Sequence, residues 1–291
     1  MFGKVLLPTD FSPDSQRVLG YVRDIPGVSE VLLLHVVDAS RPSRKGWEHT
    51  PHIENAKLLM DEARQALEKN GVKTETGIET IVNTIMQGDI PLTILEKAET
   101  THASLIMMGA RGKNTIRNIL LGSVSASVIR RAKVPVLLMR FHGESCAPEN
   151  RRNLFSRVLV PLDFSTPAGH ALACLKEIPS INEVILLHVV DKGESEDEIQ
   201  AAVKAAREKL DTIKNVLGAA GISADARIHV GYPSEEIIAT AKRDDVTLIL
   251  MTPVGEGWTR ELRALFIGST TNAVIRRAHC AVLVAGDHPH A

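Results

Sequence analysis

The chain repeats itself once, at the scale of a whole domain. VLLPTDFS at 5–12 returns as VLVPLDFS at 158–165, and EVLLLHVVD at 30–38 returns as EVILLHVVD at 183–191, both at an offset of 153 residues. A third pair, SVIRRAKVPVLLM from Ser127 and AVIRRAHCAVLVA from Ala273, is offset by 146. A period this long excludes a short solenoid repeat, and any architecture must be satisfied twice over. The segment FHGESCAPENRRNLFS at 141–156 is polar, carries Gly and Pro, and breaks the periodic pattern. The expected division is a first domain over 1–142, a linker over 143–154 and a second domain over 155–291.

Within each copy, strand and helix signals alternate. Val5–Pro8 is a short apolar run that stops at proline. Ser12-Pro13 then starts a helix: the serine hydroxyl accepts an orphan N–H, and proline has none to leave unpaired. Thr166-Pro167 offers the same start in the second copy, one residue displaced. Val31–Val37 is a continuous apolar run and reads as a strand buried on both faces. A helix over about Glu54–Lys69 stops at Asn70-Gly71. A strand is expected within 72–87, a helix over Pro91–Glu99, a strand over Ser104–Met108, a helix over Ser123–Ala132 and a strand over Val136–Arg140. Alternation of this kind predicts an α/β fold, a parallel sheet with helices on both faces, with ligands beyond the carboxyl ends of the strands. With aromatics at only 3%, the core must rest on Val, Ile, Leu, Ala and Met.

The segment MMGARGKNTIRNILLGS, 107–123, carries glycines at 109, 112 and 122, two residues and then nine apart. Local physics leaves two readings open. One is a phosphate cradle, in which glycine admits close backbone approach and a helix N-terminus supplies partial positive charge, with Arg111, Lys113 and Arg117 nearby. The other is a flexible strand-to-helix hinge. Neither a Walker A motif nor G-x-G-x-x-G is present.

Each half resembles the universal stress protein family. The residues that carry the resemblance are VLLPTDFS at the first strand, LLHVVD at the second, and Gly109-x2-Gly112-x9-Gly122-Ser123. That last pattern matches the family's ATP-binding signature, G-x2-G-x9-G-[ST]. The resemblance implies two tandem five-stranded parallel-sheet sandwiches, Rossmann-like and of the adenine nucleotide alpha-hydrolase-like kind, packed as an intramolecular pseudo-dimer. The last strands, Val136–Arg140 and Ala281–Ala285, would do the pairing, with a homodimer of chains a further option. It also implies an adenine nucleotide, ATP or AMP, with or without Mg, held in the first domain. By position, Pro8 and Asp10 would border the adenosine, and Val36 would meet the adenine through its backbone. Met108, Gly109, Ala110, Arg111, Gly112, Lys113 and Asn114 would wrap ribose and phosphates. Gly122, Ser123 and Val124 would cradle the phosphates through backbone N–H groups, with Ser125 close behind.

The second half departs from the signature. Thr252-Pro253 stands where Gly109-Ala110 does, and twelve residues rather than nine separate Gly255 from Gly268-Ser269. Thr252 cannot take a left-handed backbone cheaply, and Pro253 lacks a donor. Asp163 and Val189 survive. The expectation is a second domain that binds nucleotide weakly or not at all.

Other constellations point less far. His35 and His188 read as structural, and His49-x2-His52 and His288-Pro-His290 lack convincing metal partners. Three sparse cysteines suggest neither a disulfide framework nor a zinc site, and fit a cytoplasmic setting. A formal net charge of -1 argues against nucleic-acid partners, and no apolar stretch is long enough to span a membrane. No nucleophile elbow or triad is in view, and the resemblance implies a nucleotide-dependent stress-response binding module rather than an enzyme. A slow ATP hydrolase or nucleotidyl-transferring enzyme, and a non-binding scaffold, are the alternatives.

Overall fold

The computed structural model describes residues 2–38, 50–69, 71–81, 89–110, 121–141, 153–179, 181–191, 195–255 and 266–286. The chain divides into two compact units, Met1–Leu137 and Leu138–Ala291. The first repeat runs β1 (Lys4–Pro8), α1 (Pro13–Leu19), β2 (Glu30–Asp38), α2 (Thr50–Glu68), β3 (Lys73–Ile81), α3 (Ile90–Thr100), β4 (Leu105–Gly109), α4 (Ser123–Arg131) and β5 (Val136–Met139). The second runs β6 (Arg157–Pro161), α5 (Thr166–Glu177), β7 (Glu183–Val190), α6 (Glu196–Ala219), β8 (Ala224–Val230), α7 (Pro233–Arg243), β9 (Leu248–Met251), α8 (Ser269–Arg277) and β10 (Ala281–Val284).

The strand order is β3-β2-β1-β4-β5 in the first repeat and β8-β7-β6-β9-β10 in the second. The β1–β2, β1–β4 and β2–β3 ladders and their second-half equivalents are parallel. Right-handed crossovers then place α1 and α2 on one face of the first sheet and α3 and α4 on the other. The helix contacts agree: α3 packs on α4, and α7 on α8. Strand order reverses between β1 and β4, and this is where an open α/β sheet leaves a crevice. The central strands are buried along their middles: Val5, Leu6 and Leu7 in β1, and Leu105, Ile106 and Met107 in β4. The edge strand β3 carries Lys73, Glu75 and Glu79 instead, charges that discourage further strand pairing.

Caps act where serine precedes proline. Ser12 Oγ accepts the Ser15 N–H at 3.2 Å, with Pro13 opening α1. The second half corrects the expected start at Thr166. The cap is Ser165, whose Oγ accepts the Ala168 N–H at 3.3 Å, and Thr166 is already helical. The caps are therefore in register and only the proline has moved. One arginine in each last helix ties it to the helix before it. Arg131 pairs with Asp89 at 3.1 Å, and Arg277 pairs with Glu235.

Candidate functional site

The crevice arises because neighbouring strands end at different heights. Pro8 ends β1 opposite Leu34, but β2 runs on to Asp38 beside β3, pairing His35 with Ile78 and Asp38 with Ile81. Residues 31–34 of β2 are buried, whereas His35 and Val36 on the overhang are only half-buried. Double-sided burial thus stops where β1 stops, and Val36 stands on a wall beside the strand ends rather than in the core. In the second half β6 ends at Pro161 opposite Leu187, while β7 continues beside β8 to Val190.

A tight turn follows β1. Asp10 Oδ1 accepts the Ser12 N–H at 3.0 Å, an Asx turn that leads into the α1 cap. Between them Phe11 adopts φ 56°, and its counterpart Phe164 adopts φ 61°. Left-handed backbone at a bulky residue costs on the order of 1–2 kcal/mol. Two contacts offset it. Phe11 packs on His35 with ring centroids 4.5 Å apart, and Phe164 on His188 at 4.4 Å. The histidines are pinned in turn: His35 Nδ1 donates to the Thr9 carbonyl at 2.8 Å and His188 Nδ1 to Leu162 at 2.7 Å. A carbonyl only accepts, so Nδ1 carries the proton. The histidines are structural, as expected. Asp163 repeats the turn, with Oδ1 accepting from Ser165 N at 3.0 Å and from Ser165 Oγ at 2.6 Å.

The third wall is the β4–α4 connection. Met108 and Ala110 are buried at its start, and Arg111, Gly112, Lys113 and Asn114 lie outside the described residues. The loop is closed by Gly122 N–H donating to the Ala110 carbonyl at 2.9 Å, so Gly122 does not offer its own amide to a phosphate. Gly122 is the N-cap of α4 with φ -62° and ψ 145°, and among the described residues no side chain caps the helix. The first intrahelical bond from this cap is Ala126 N–H to the Gly122 carbonyl at 2.9 Å. The amides of Ser123, Val124 and Ser125 thus form an uncapped helix N-terminus, a favourable setting for an anion. Ser123 is exposed and Val124 half-buried. Ser125 points inward, and its Oγ donates to the Gly109 carbonyl at 3.0 Å, tying α4 to the end of β4.

The second half builds the same connection. Gly268 N–H donates to the Pro253 carbonyl at 2.9 Å, and Thr271 Oγ1 to the Thr252 carbonyl at 2.8 Å. The three additional residues therefore lie between matched closures. Neither Gly109 nor Thr252 is left-handed, so threonine replaces that glycine without the backbone strain anticipated from its β-branch. A cavity of about 330 Å³ opens here, lined by Pro161, Asp163, Val189, Met251, Gly268 and Ser269. These are the second-half counterparts of Pro8, Asp10, Val36, Met108, Gly122 and Ser123. Gly255 lines it too, and a Cβ there would collide with Asp163 Oδ2, so this glycine admits the carboxylate. At Gly268 a Cβ would meet nothing closer than the Pro253 oxygen at 3.4 Å, and φ is -54°. Among the described residues nothing demands a glycine there.

The remaining features contribute little chemistry. Burial pushes the Cys174 and Cys280 thiols up to about 12, which leaves them protonated and inert. Among the described residues no His, Cys, Asp or Glu cluster is placed to hold a metal, and no helix is long and apolar enough to cross a membrane. Cys146, His49, His288 and His290 lie outside the described residues. Sequence reasoning missed the left-handed phenylalanines, the closure that occupies the Gly122 amide, and the inward Ser125 hydroxyl. The repeated Asp-Phe-Ser and the Ser125/Thr271 match were the available signals.

Comparison with known proteins agrees with this fold. The chain is 34% identical over 148 residues to a universal stress protein of Methanocaldococcus jannaschii, a match covering 48% of this chain and 83% of that protein. It is 27% identical over 262 residues to one of Synechocystis, covering 88% of this chain and 79% of the relative. The crystal structure of a universal stress protein from Archaeoglobus fulgidus superposes with a TM-score of 0.74 at 29% identity, covering 99% of this chain and 100% of that one. The family model for universal stress proteins matches residues 1–140 and again 154–286, so the chain, with its two copies of one α/β unit, belongs to the universal stress protein family.

Proposed function

We propose that this protein is a cytoplasmic, nucleotide-dependent stress-response module that binds ATP or AMP in its first domain. The two domains, 1–142 and 155–291 around the linker 143–154, then keep one fold and differ in phosphate recognition. The observation that carries this reading is the N-terminus of α4, uncapped among the described residues, at the switch point of the sheet. Phosphates sit at those amides, with Ser125 holding the helix in place. Adenine meets the half-buried Val36 overhang, and Asp10 accepts from the ribose. The segment 108–114 would wrap ribose and phosphates, with or without Mg. The role is binding rather than catalysis.

In the second domain the cavity around Asp163 and Val189 supports room for the adenosine portion. Pro253 replaces Ala110 and removes one loop amide, which weighs against a full triphosphate cradle.

The test is to identify any nucleotide released by acid from the purified chain and then titrate ATP, AMP and GTP. ATP and AMP should bind at one equivalent per chain, and GTP more weakly. Phosphate release above that of heat-killed protein would favour the hydrolase reading, and no binding of any nucleotide would favour the scaffold.

A further inference from the structure

A separate cavity of about 270 Å³ lies in the first unit, away from the α4 terminus. Its walls come from the β1–α1 turn, α1, β2 and α2: Phe11, Leu19, Leu33 and Leu59 are apolar, and Gln16 and Glu62 are polar. It lies below the usual range of about 300–1,000 Å³ for drug-sized ligands, so its occupant must be small.

The duplicated half indicates the chemistry of that occupant. Helices α2 and α6 align without a gap. Both end at a left-handed glycine, Gly71 at φ 79° and Gly221 at φ 78°. Val72 N–H returns to the Leu67 carbonyl just as Ile222 N–H returns to Leu217. Their buried stripes match, Ala56, Met60 and Leu67 against Ala206, Leu210 and Leu217, all at an offset of 150. On this register Leu59 corresponds to Lys209, and Glu62 to Thr212. In the second unit Lys209 Nζ lies over the Phe164 ring, 5.0 Å from its centroid. That is within the roughly 6 Å reach of a cation–π contact. Phe164 is the counterpart of Phe11. The second unit thus brings its own ammonium, on a four-carbon stem, to the phenylalanine after its first strand.

The first unit has exchanged that lysine for Leu59 and has acquired a carboxylate at Glu62 where the second has Thr212. It also has the Gln16 amide where the second has Gly169. Glu62 makes no hydrogen bond or ion pair within the described residues, and it stands at the rim of the cavity. An aromatic ring, aliphatic walls and an acceptor at the rim form a site complementary to the side chain that is absent. We propose that the first unit's α1–α2 cavity binds a small alkylammonium ion, which takes the place that Lys209 fills in the second unit. The carboxylate of Glu62 pairs with the ammonium, while Leu19, Leu33 and Leu59 cover the alkyl chain. Phe11 adjoins Asp10, so an occupant here bears on the turn that borders the nucleotide crevice.

The experiment titrates the full chain with n-butylammonium, following saturation-transfer NMR and calorimetry, with n-butanol as the neutral counterpart. One equivalent of n-butylammonium should be taken up per chain, and n-butanol should bind about tenfold more weakly, since it lacks the cation. Leu59→Lys should abolish uptake by supplying the cation internally, and the exposed Glu62→Gln should weaken it about fivefold whether or not Leu59→Lys folds. The double variant Lys209→Leu/Thr212→Glu should gain a second equivalent. Equal uptake of n-butanol overturns the assignment. So does n-butylammonium uptake that neither Leu59→Lys nor Glu62→Gln diminishes.

Discussion

Gly122→Val separates a glycine required by a ligand from one required by the fold. Gly122 has φ -62° and ψ 145°, open to any residue. Its counterpart Gly268 has φ -54° and ψ 145°, and a Cβ there meets nothing closer than 3.4 Å. The protein therefore accommodates valine, at a cost of about 1 kcal/mol for a poorer N-cap. The branched side chain, however, stands beside the amides of Ser123 and Val124. Losing two charge-assisted hydrogen bonds of about 1.5–3 kcal/mol each removes at least about 3 kcal/mol of phosphate binding. With tenfold per 1.4 kcal/mol, ATP affinity should fall at least ~100-fold. Calorimetric titration reads the affinity and urea unfolding the stability. Gly268→Val serves as the control, with a similar stability change and ATP affinity unaltered. A folded Gly122→Val protein that binds ATP within about threefold of wild type would show that phosphate does not bind at these amides, because two such bonds far exceed that change. A stability loss above about 3 kcal/mol would instead place the glycine's role in the fold, since a cap alone is worth less.

Further consequences concern single groups. Ser125→Ala removes the hydroxyl from the Gly109 carbonyl and should destabilise the protein by about 1–2 kcal/mol in urea melts; an unchanged midpoint would mean that the tie is dispensable. With both thiols pushed up to about 12, Cys174 and Cys280 should resist a disulfide reagent at pH 8 in the native protein and react once it is unfolded; rapid native reaction at either would contradict their burial. The Lys4 ammonium, hydrogen-bonded to Glu30 at 3.3 Å, and then Lys73 hold the Glu30 carboxyl below the usual carboxylate range. A depressed folded value means that the contribution is complete at neutral pH and is lost as pH falls through that value. Glu30→Gln should therefore lie within about 1 kcal/mol of wild type at pH 7, with a gap that closes below about pH 4; a gap that widens in acid would reverse the assignment.

What the sequence disclosed and what it withheld divide along physical lines. The duplication, the β-branched runs and Ser12-Pro13 are local or periodic signals, and they placed most strands of the first half and the first cap, whereas the switch point depends on a strand order that only the structure shows. Thr166-Pro167 misled because the dipeptide resembles a helix start, whereas the cap follows the register of Asp163-Phe164-Ser165. The half-exposure of Val36 depends on β1 stopping four residues short of β2, a relation between strands that no single run reveals. Gly122 looked like a phosphate donor, but loop closure onto Ala110 occupies its amide and moves the donors to the following residues. The strain expected at Thr252 required a left-handed backbone that neither half adopts. Phe11 and Phe164 run the other way: no propensity predicts a left-handed phenylalanine, and the contacts that accompany it, the Asx turn and the packing on His35 and His188, appear only in the structure.

The central claim is that duplication kept the fold in both halves and the phosphate site in the first. A crystal structure of the full chain grown with ATP tests it most directly. A nucleotide should appear with its phosphates at the Ser123 and Val124 amides and its adenine beside Val36. Triphosphate bound at Ser269 and Thr270 in the second half, or a first-half crevice left empty at saturating ATP, would contradict it.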